Sequence, residues 1–189
     1  MIEFITQTDH SILVFIQEYL RFDWLTGPMV FVSHLGDSGL FWIILCAILL
    51  LSKKTRKLGV CGLLALAFGV LITNVALKNV VGRIRPYDQF SDLTLLVEAQ
   101  HDFSFPSGHA CSSFAAAAAI FLSLDRNKKG WGILLIILAS LIAWSRLYVA
   151  VHFPTDVIVG ILVGIFSAWA AHLILKKYHQ RRLTCEKSE

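Results

Sequence analysis

The sequence predicts an all-α polytopic membrane bundle: five transmembrane helices preceded by an N-terminal interfacial helix, with six spans as the alternative. Three observations predict it. Of 189 residues, 56% are hydrophobic and only 16% charged, whereas soluble domains carry about 25% charged residues. Mean hydropathy is +0.67. Uncharged apolar runs recur at residues 39–52, 58–77, 110–124, 130–145 and 157–175, and basic residues gather in every second connection between them.

Each element follows in order. Residues 1–35 mix Leu13, Phe15, Ile16, Leu20, Phe22 and Trp24 with Glu18, Arg21 and Asp23, which suits an amphipathic helix lying in the interface. Positions 1–10 hold no Lys or Arg, so the basic leader of a cleavable signal peptide is not expected. A span takes roughly 20 apolar residues, about 17 at the short end. Runs 58–77 and 157–175 reach this alone; the other three borrow flanking residues such as 107–109 or 146–151. The alanines at 115–119 and the pair Gly160 and Gly164 offer small faces for close helix packing. One domain, 1–176, is expected, followed by a polar tail, 177–189, that frays.

Orientation comes from charge. Segment 53–57 holds four Lys and Arg, 125–129 holds three and 176–189 five, together 12 of 17. With five spans these segments fall on one side, which the positive-inside tendency makes the cytoplasm. The net charge of +4 then reads as topology and anionic-lipid contact, and nucleic acid is not an expected partner. Cys46, Cys61, Cys111 and Cys185 show no metal or redox spacing and are expected as free thiols.

The other five basic residues are Arg21, Lys78, Arg83, Arg85 and Arg146. The last four cluster at the outward ends of expected spans, against the positive-inside tendency, and a bound anion accounts for them better than snorkelling. Lys78 and Arg85, seven residues apart, share a face if their helix continues to Pro86, which would end it. Phe105-Pro106-Ser107-Gly108-His109 opens the next span, with Ser-Gly letting backbone N–H groups approach an anion. Ser145-Arg146 closes the fourth span. His152-Phe153-Pro154-Thr155-Asp156 opens the fifth, with Asp156 four residues after His152 and able to bond its ring. Residues 83–105 form a long outward loop of functional character. No His/Asp/Glu set has metal-site spacing, and neither a metal nor a cofactor is expected.

These residues carry a resemblance. Lys78 to Pro86 fits K-x6-R-P, Pro106 to His109 fits P-S-G-H, and Ser145 to Asp156 fits S-R-x5-H-x3-D. Together, in order and on one membrane face, they resemble the type 2 phosphatidic acid phosphatase (PAP2) superfamily. The chain looks like short bacterial members acting on undecaprenyl pyrophosphate, phosphatidylglycerophosphate or similar lipids, without the extra N-terminal span of longer relatives. The resemblance implies that His152 attacks phosphorus and forms a phosphohistidine. It implies that Asp156 orients His152, and that His109 protonates the leaving oxygen and then activates water. Lys78, Arg85 and Arg146 would clamp the phosphoryl oxygens, with Ser107 and Gly108 adding donors.

Outside the motifs, Arg83 stands between an indirect role, one layer behind the phosphate, and headgroup anchoring. Tyr87, Phe90, Phe103 and Phe105 read as interfacial aromatics, Glu98, His101 and Asp102 as solvated loop residues, and His34 and His172 as structural. A lipid phosphotransferase on the same site and an anion transporter are the rival functions. The transporter explains the cations but not the histidines at helix starts. The implied setting is the plasma membrane, with the site outward, the C-terminus cytoplasmic and a phosphorylated lipid as partner.

Overall fold

Every regular element among the described residues is helical, as the composition requires. In the computed structural model, which describes residues 2–185, α1 (Ile2–Phe15) runs through a π-helical turn, Ile16–Leu20, towards α2 (Asp23–Leu35). A tight turn, Asp37–Gly39, joins α2 to α3 (Leu40–Leu51). Next, α4 (Arg56–Val70) continues through the π-helical stretch Leu71–Leu77 into α5 (Lys78–Val81). The single turn α6 (Pro86–Gln89) precedes the long loop. The remaining helices are α7 (Gly108–Ser123), α8 (Lys129–Tyr148) and α9 (Pro154–Cys185).

The bundle is organised around α7, which packs on α4, α8 and α9. Its small side chains allow this: Ala115, Ala116, Ala117 and Ala119 are fully buried. The small face of α9 meets it. A Cβ on Gly160 would lie 2.5 Å from the Ser107 carbonyl oxygen, and one on Gly164 would lie 2.5 Å from that of Cys111. Backbones this close gain van der Waals contact that lipid cannot supply.

Three stretches, Arg56–Gln89, Arg126–Tyr148 and Pro154–Arg181, are long and apolar enough to cross a membrane, and α2 with α3 makes a fourth, bent by 47°. The sequence anticipates five. The difference lies in α7, whose 16 residues span roughly 24 Å against about 30 Å of hydrocarbon. Enclosed by longer neighbours, α7 does not depend on its own length to meet lipid.

Residues 2–35 also differ from the single interfacial helix expected. They form two helices, and Asp9, Leu13, Ile16, Met29 and Ser33 are buried against the bundle. At the other end α9 stays helical to Cys185, so the expected fraying does not begin at residue 177. Residues 186–189 of that tail lie outside the described residues. Cys46, Cys61 and Cys111 are buried free thiols, and the Cys185 side chain lies outside the described ones.

The packing predicts a graded response. Gly160→Ala forces α7 and α9 apart and should cost about 1–3 kcal/mol, a fall of roughly 3–10 °C in Tm. Gly130→Ala, with nothing within 4 Å of the added carbon, should leave Tm unchanged or slightly raised. Thermal unfolding of the purified variants in detergent checks both.

Candidate active site

Helix ends build the site. At one end of the bundle lie the end of α5, the start of α7, the end of α8 and the start of α9. The basic turns 53–57 and 125–129 lie at the other. Ser107 caps α7 by accepting the Ala110 N–H at 3.4 Å, and Ser107 N–H donates to the Asp156 carbonyl oxygen at 3.0 Å. The P-S-G-H segment is thereby tied to the start of α9.

A cavity of about 250 Å³ opens here, and Lys78, Arg85, Gly108, His109, Arg146 and His152 all line it. Six of the eight expected site residues therefore meet in one place. The other two stand behind. Ser107 is fully buried with its hydroxyl committed to the cap, and Asp156 is fully buried behind His152. Ser107 is thus the anchor of a helix start, and the backbone at Gly108 is what reaches the cavity.

Lys78 and Arg85 converge by a route the spacing does not show. Gly82 adopts φ +59° and closes α5 by a backbone bond to the Lys78 carbonyl, the left-handed cap that glycine favours. The helix therefore stops before Arg85, and Pro86 opens α6 instead of ending α5. The two cations are joined by Asp102. Its carboxylate pairs with Lys78 Nζ through one oxygen and with Arg85 NH2 at 2.5 Å through the other. Arg85 also donates to the Asp102 carbonyl at 2.9 Å and the Val151 carbonyl at 2.8 Å. Burial works against ionisation of Asp102, but Lys78 and Arg85 hold its pKa down at about 2. Asp102 is therefore an ion-pair partner of the cation cluster, while its side chain stays 54% exposed, so the reading as a solvated loop residue holds but leaves out the two ion pairs.

Arg146 is 2% exposed. It donates from NH1 to Ser33 Oγ, while its Nε has no hydrogen-bond partner among the described residues. A buried guanidinium nitrogen without a partner is costly.

The two histidines are held differently. His109 Nε2 lies 2.9 Å from Asp37 Oδ1, and His34 Nδ1 lies 2.9 Å from the other oxygen of that carboxylate. His152 Nδ1 faces Ser104 Oγ at 3.4 Å and Asp156 Oδ2 at 3.7 Å. At 3.7 Å the contact with Asp156 is charge proximity, not a hydrogen bond. Ser104 bridges the two by donating to Asp156 Oδ2 at 2.5 Å, and Phe153 N–H donates to the same oxygen at 2.9 Å. With Nδ1 turned inward, Nε2 is the nitrogen left for the cavity. Burial, resisted by Asp156 and reinforced by Arg85 and Arg146, holds the His152 pKa well below the ordinary histidine range.

Arg83 lies behind this wall and does not line the cavity. Its NH1 donates to Asp156 Oδ1 and Thr155 Oγ1, each at 2.7 Å, and its NH2 to Asp9 Oδ2 at 2.7 Å. Its guanidinium carbon sits 3.9 Å from the Phe153 ring centroid. These bonds turn Arg83 away from a headgroup and set it one layer behind His152, the indirect position that the sequence offered as one of its two roles. Sequence reasoning also passed over Asp9, Ser33, Asp37 and Ser104. Only Asp37 carried a signal, as a charge inside the Gly36–Gly39 break between apolar runs. Among the described residues, no three His, Cys, Asp or Glu side chains are grouped to hold a metal.

Comparison with known proteins gives the lineage. The chain is 38% identical over 149 residues to the undecaprenyl-diphosphatase of Sulfolobus acidocaldarius, covering 79% of this chain and 68% of that one. It is 34% identical over 158 residues to phosphatidylglycerophosphatase B of Bacillus subtilis, covering 77% and 73%. Among solved structures, the transmembrane PAP2 type phosphatidylglycerolphosphate phosphatase of Bacillus subtilis superposes with a TM-score of 0.76. That match has 29% identity and covers 92% of this chain and 87% of that one. The PAP2 superfamily description matches residues 56–180, the segment holding all eight expected site residues, and this integral membrane protein belongs to the PAP2 superfamily.

Proposed function

We propose that the chain is a membrane-integrated lipid phosphatase or diphosphatase working through a phosphohistidine. One observation carries this: two histidines from separate helices line one cavity together with three cations, Lys78, Arg85 and Arg146. A phosphoryl group seated on Lys78, Arg85 and Arg146 would present phosphorus to His152 Nε2. Attack forms the N–P bond as the P–O bond to the lipid breaks, and His109 gives its proton to the departing oxygen. His109 then takes a proton from water, whose oxygen displaces His152 and releases phosphate. The low pKa of His152 keeps its ring neutral, the nucleophilic form, throughout the physiological range. Three cations supply the charge stabilisation that a divalent ion supplies elsewhere, so the reaction is proposed to be metal-independent. Relatives that act on a diphosphate and on a phosphate monoester support lipid phosphates as the substrate class.

On this reading α3, α4, α7, α8 and α9 form the five spans, with α1 and α2 at the outer interface. The domain is residues 1–176, followed by a cytoplasmic tail. The site opens on the extracytoplasmic side, because the basic turns lie at the opposite end of the bundle.

Brief exposure to ³²P-labelled phosphatidylglycerophosphate or undecaprenyl pyrophosphate in EDTA, followed by quenching, tests the mechanism. Acid-labile, base-stable label is expected on the peptide holding His152. His152→Ala should lose label and turnover together. Label at His109, or turnover that requires added Mg²⁺, would refute the chemistry.

Asp102 occupies two of the three cations, so an incoming phosphate must displace its carboxylate. Asp102→Asn should therefore lower KM, and the inhibition constant of orthovanadate, several-fold. A raised KM would instead make Asp102 a support for the clamp.

Arg83 separates two buried carboxylates, Asp9 and Asp156. Arg83→Ala leaves both unpaired, a change that typically costs several kcal/mol. It should lower Tm and reduce kcat about tenfold or more, with a smaller change in KM. Adding Asp9→Asn should recover part of the Tm but not the kcat. Steady-state kinetics and thermal unfolding of the single and double variants check this.

A further inference from the structure

The largest cavity described lies at the end of the bundle opposite the active site. It measures about 640 Å³ and is lined by Lys53 of the α3–α4 turn and by residues of α4, α7 and α9. Helix lengths create it. The helices α7 and α9 both start at the active-site end and run side by side, Gly160 and Gly164 of α9 against Ser107 and Cys111 of α7. But α7 stops at Ser123, whereas α9 continues to Cys185. Beyond the end of α7 nothing separates α9 from the first turns of α4, and a cleft remains.

The lining has two parts. Val60 and Leu175 give an apolar wall, and Lys53, Arg56, Lys57 and Lys176 stand around it. Among the described residues no carboxylate pairs with any of these four cations, although Lys128 in the neighbouring turn has found Asp125 at 3.3 Å. Arg56 donates its Nε to the Leu50 carbonyl at 3.2 Å, which fixes its position without neutralising its charge. Ser123 Oγ and His172 Nδ1 lie 3.1 Å apart, a polar pair on the lining about one turn of α9 nearer the active-site end than Leu175 and Lys176. The site described above uses neither residue.

We infer that this cleft binds an anionic phospholipid. Its phosphate would rest among Lys53, Lys57 and Lys176, and one acyl chain would lie along Val60 and Leu175 between α4 and α9. Charge selects the occupant: four cations without a carboxylate partner among the described residues repel a basic partner and hold a zwitterionic headgroup poorly. Depth selects a lipid over a soluble anion, because an apolar wall continuous with the bundle surface offers free phosphate nothing. The inference uses no part of the catalytic reading.

Native mass spectrometry of the full-length protein in detergent tests it, with dioleoylphosphatidylglycerol and dioleoylphosphatidylcholine as probes and thermal unfolding alongside. Wild type should retain phosphatidylglycerol and gain Tm with it. Phosphatidylcholine should give neither effect, and inorganic phosphate should not displace the bound phosphatidylglycerol. The triple variant Lys53→Gln, Lys57→Gln, Lys176→Gln should bind phosphatidylglycerol at least about tenfold more weakly, since each basic side chain near an anionic lipid contributes about 1 kcal/mol. Arg146→Ala, which alters only the active-site end, should retain it as wild type does. Equal retention of the two lipids, undiminished retention by the triple variant, or loss in Arg146→Ala would overturn the assignment. A chain ending at Cys185 separates the remaining occupant, the acidic tail with Glu186 and Glu189. Unchanged binding supports the lipid. Binding seen only after truncation would give the cleft to the tail.

Discussion

The structure depends on burying positive charge at one end of an apolar bundle. Lys78, Arg85 and Arg146 are all at most 9% exposed. Isolated charges so placed would cost several kcal/mol each, so the surrounding chain has to supply partners. It does so unevenly. Lys78 and Arg85 share Asp102, and Arg85 also takes two carbonyls. Arg146 gets one serine hydroxyl and keeps a nitrogen unpartnered. On the proposed function, an anion arriving between the three cations offsets part of the cost of burying them.

The aspartates answering these charges and orienting the histidines come from four separate parts of the chain: Asp9 on α1, Asp37 in the α2–α3 turn, Asp102 in the long loop and Asp156 on α9. Asp9, Asp37 and Asp102 reach the site from distant parts of the chain, whereas Asp156 lies four residues beyond His152. Asp9 stands 146 positions from Thr155, to whose backbone N–H it offers an oxygen at 3.1 Å. The N-terminal helices therefore complete a polar wall around the start of α9, besides covering apolar surface. Substitution at Asp9 reports on His152 only through Arg83 and Asp156, which is why Tm and kcat should part company in the Asp9→Asn, Arg83→Ala pair.

Much of the site was legible because its residues sit in short local patterns at helix ends. A Pro-Ser-Gly-His segment encodes both a helix start and a reactive side chain, so the chemistry and the backbone signal coincide. The missing residues had no such coincidence. A single aspartate in a long loop looks the same whether it faces water or a lysine, and Asp102 was read as solvated. The break at Gly82 was also hidden, since one glycine in a helical stretch does not announce a left-handed cap. The α2–α3 bend and the short α7 limited the span count for a related reason. Run length measures exposure to lipid, and a helix enclosed by others escapes that requirement. The apolar composition, by contrast, fixed the all-helical class, because in hydrocarbon the backbone must satisfy its own hydrogen bonds.

The cavity constrains how a lipid substrate would be read. At about 250 Å³ it falls below the roughly 300–1,000 Å³ of sites that enclose a whole small molecule. It has room for one or two phosphoryl groups among the cations, but none for a long acyl or prenyl chain. On the proposed function, the hydrocarbon must stay in the membrane while the phosphate enters between α5, α7 and α8. The clamp then recognises charge alone, and Asp102 makes that recognition competitive. A phosphodiester carries one negative charge and must displace a carboxylate held by two cations. A monoester or diphosphate brings more charge to the same exchange. Discrimination against the abundant phosphodiester lipids of the membrane can therefore arise at Lys78 and Arg85, before any contact with the chain that distinguishes one lipid phosphate from another.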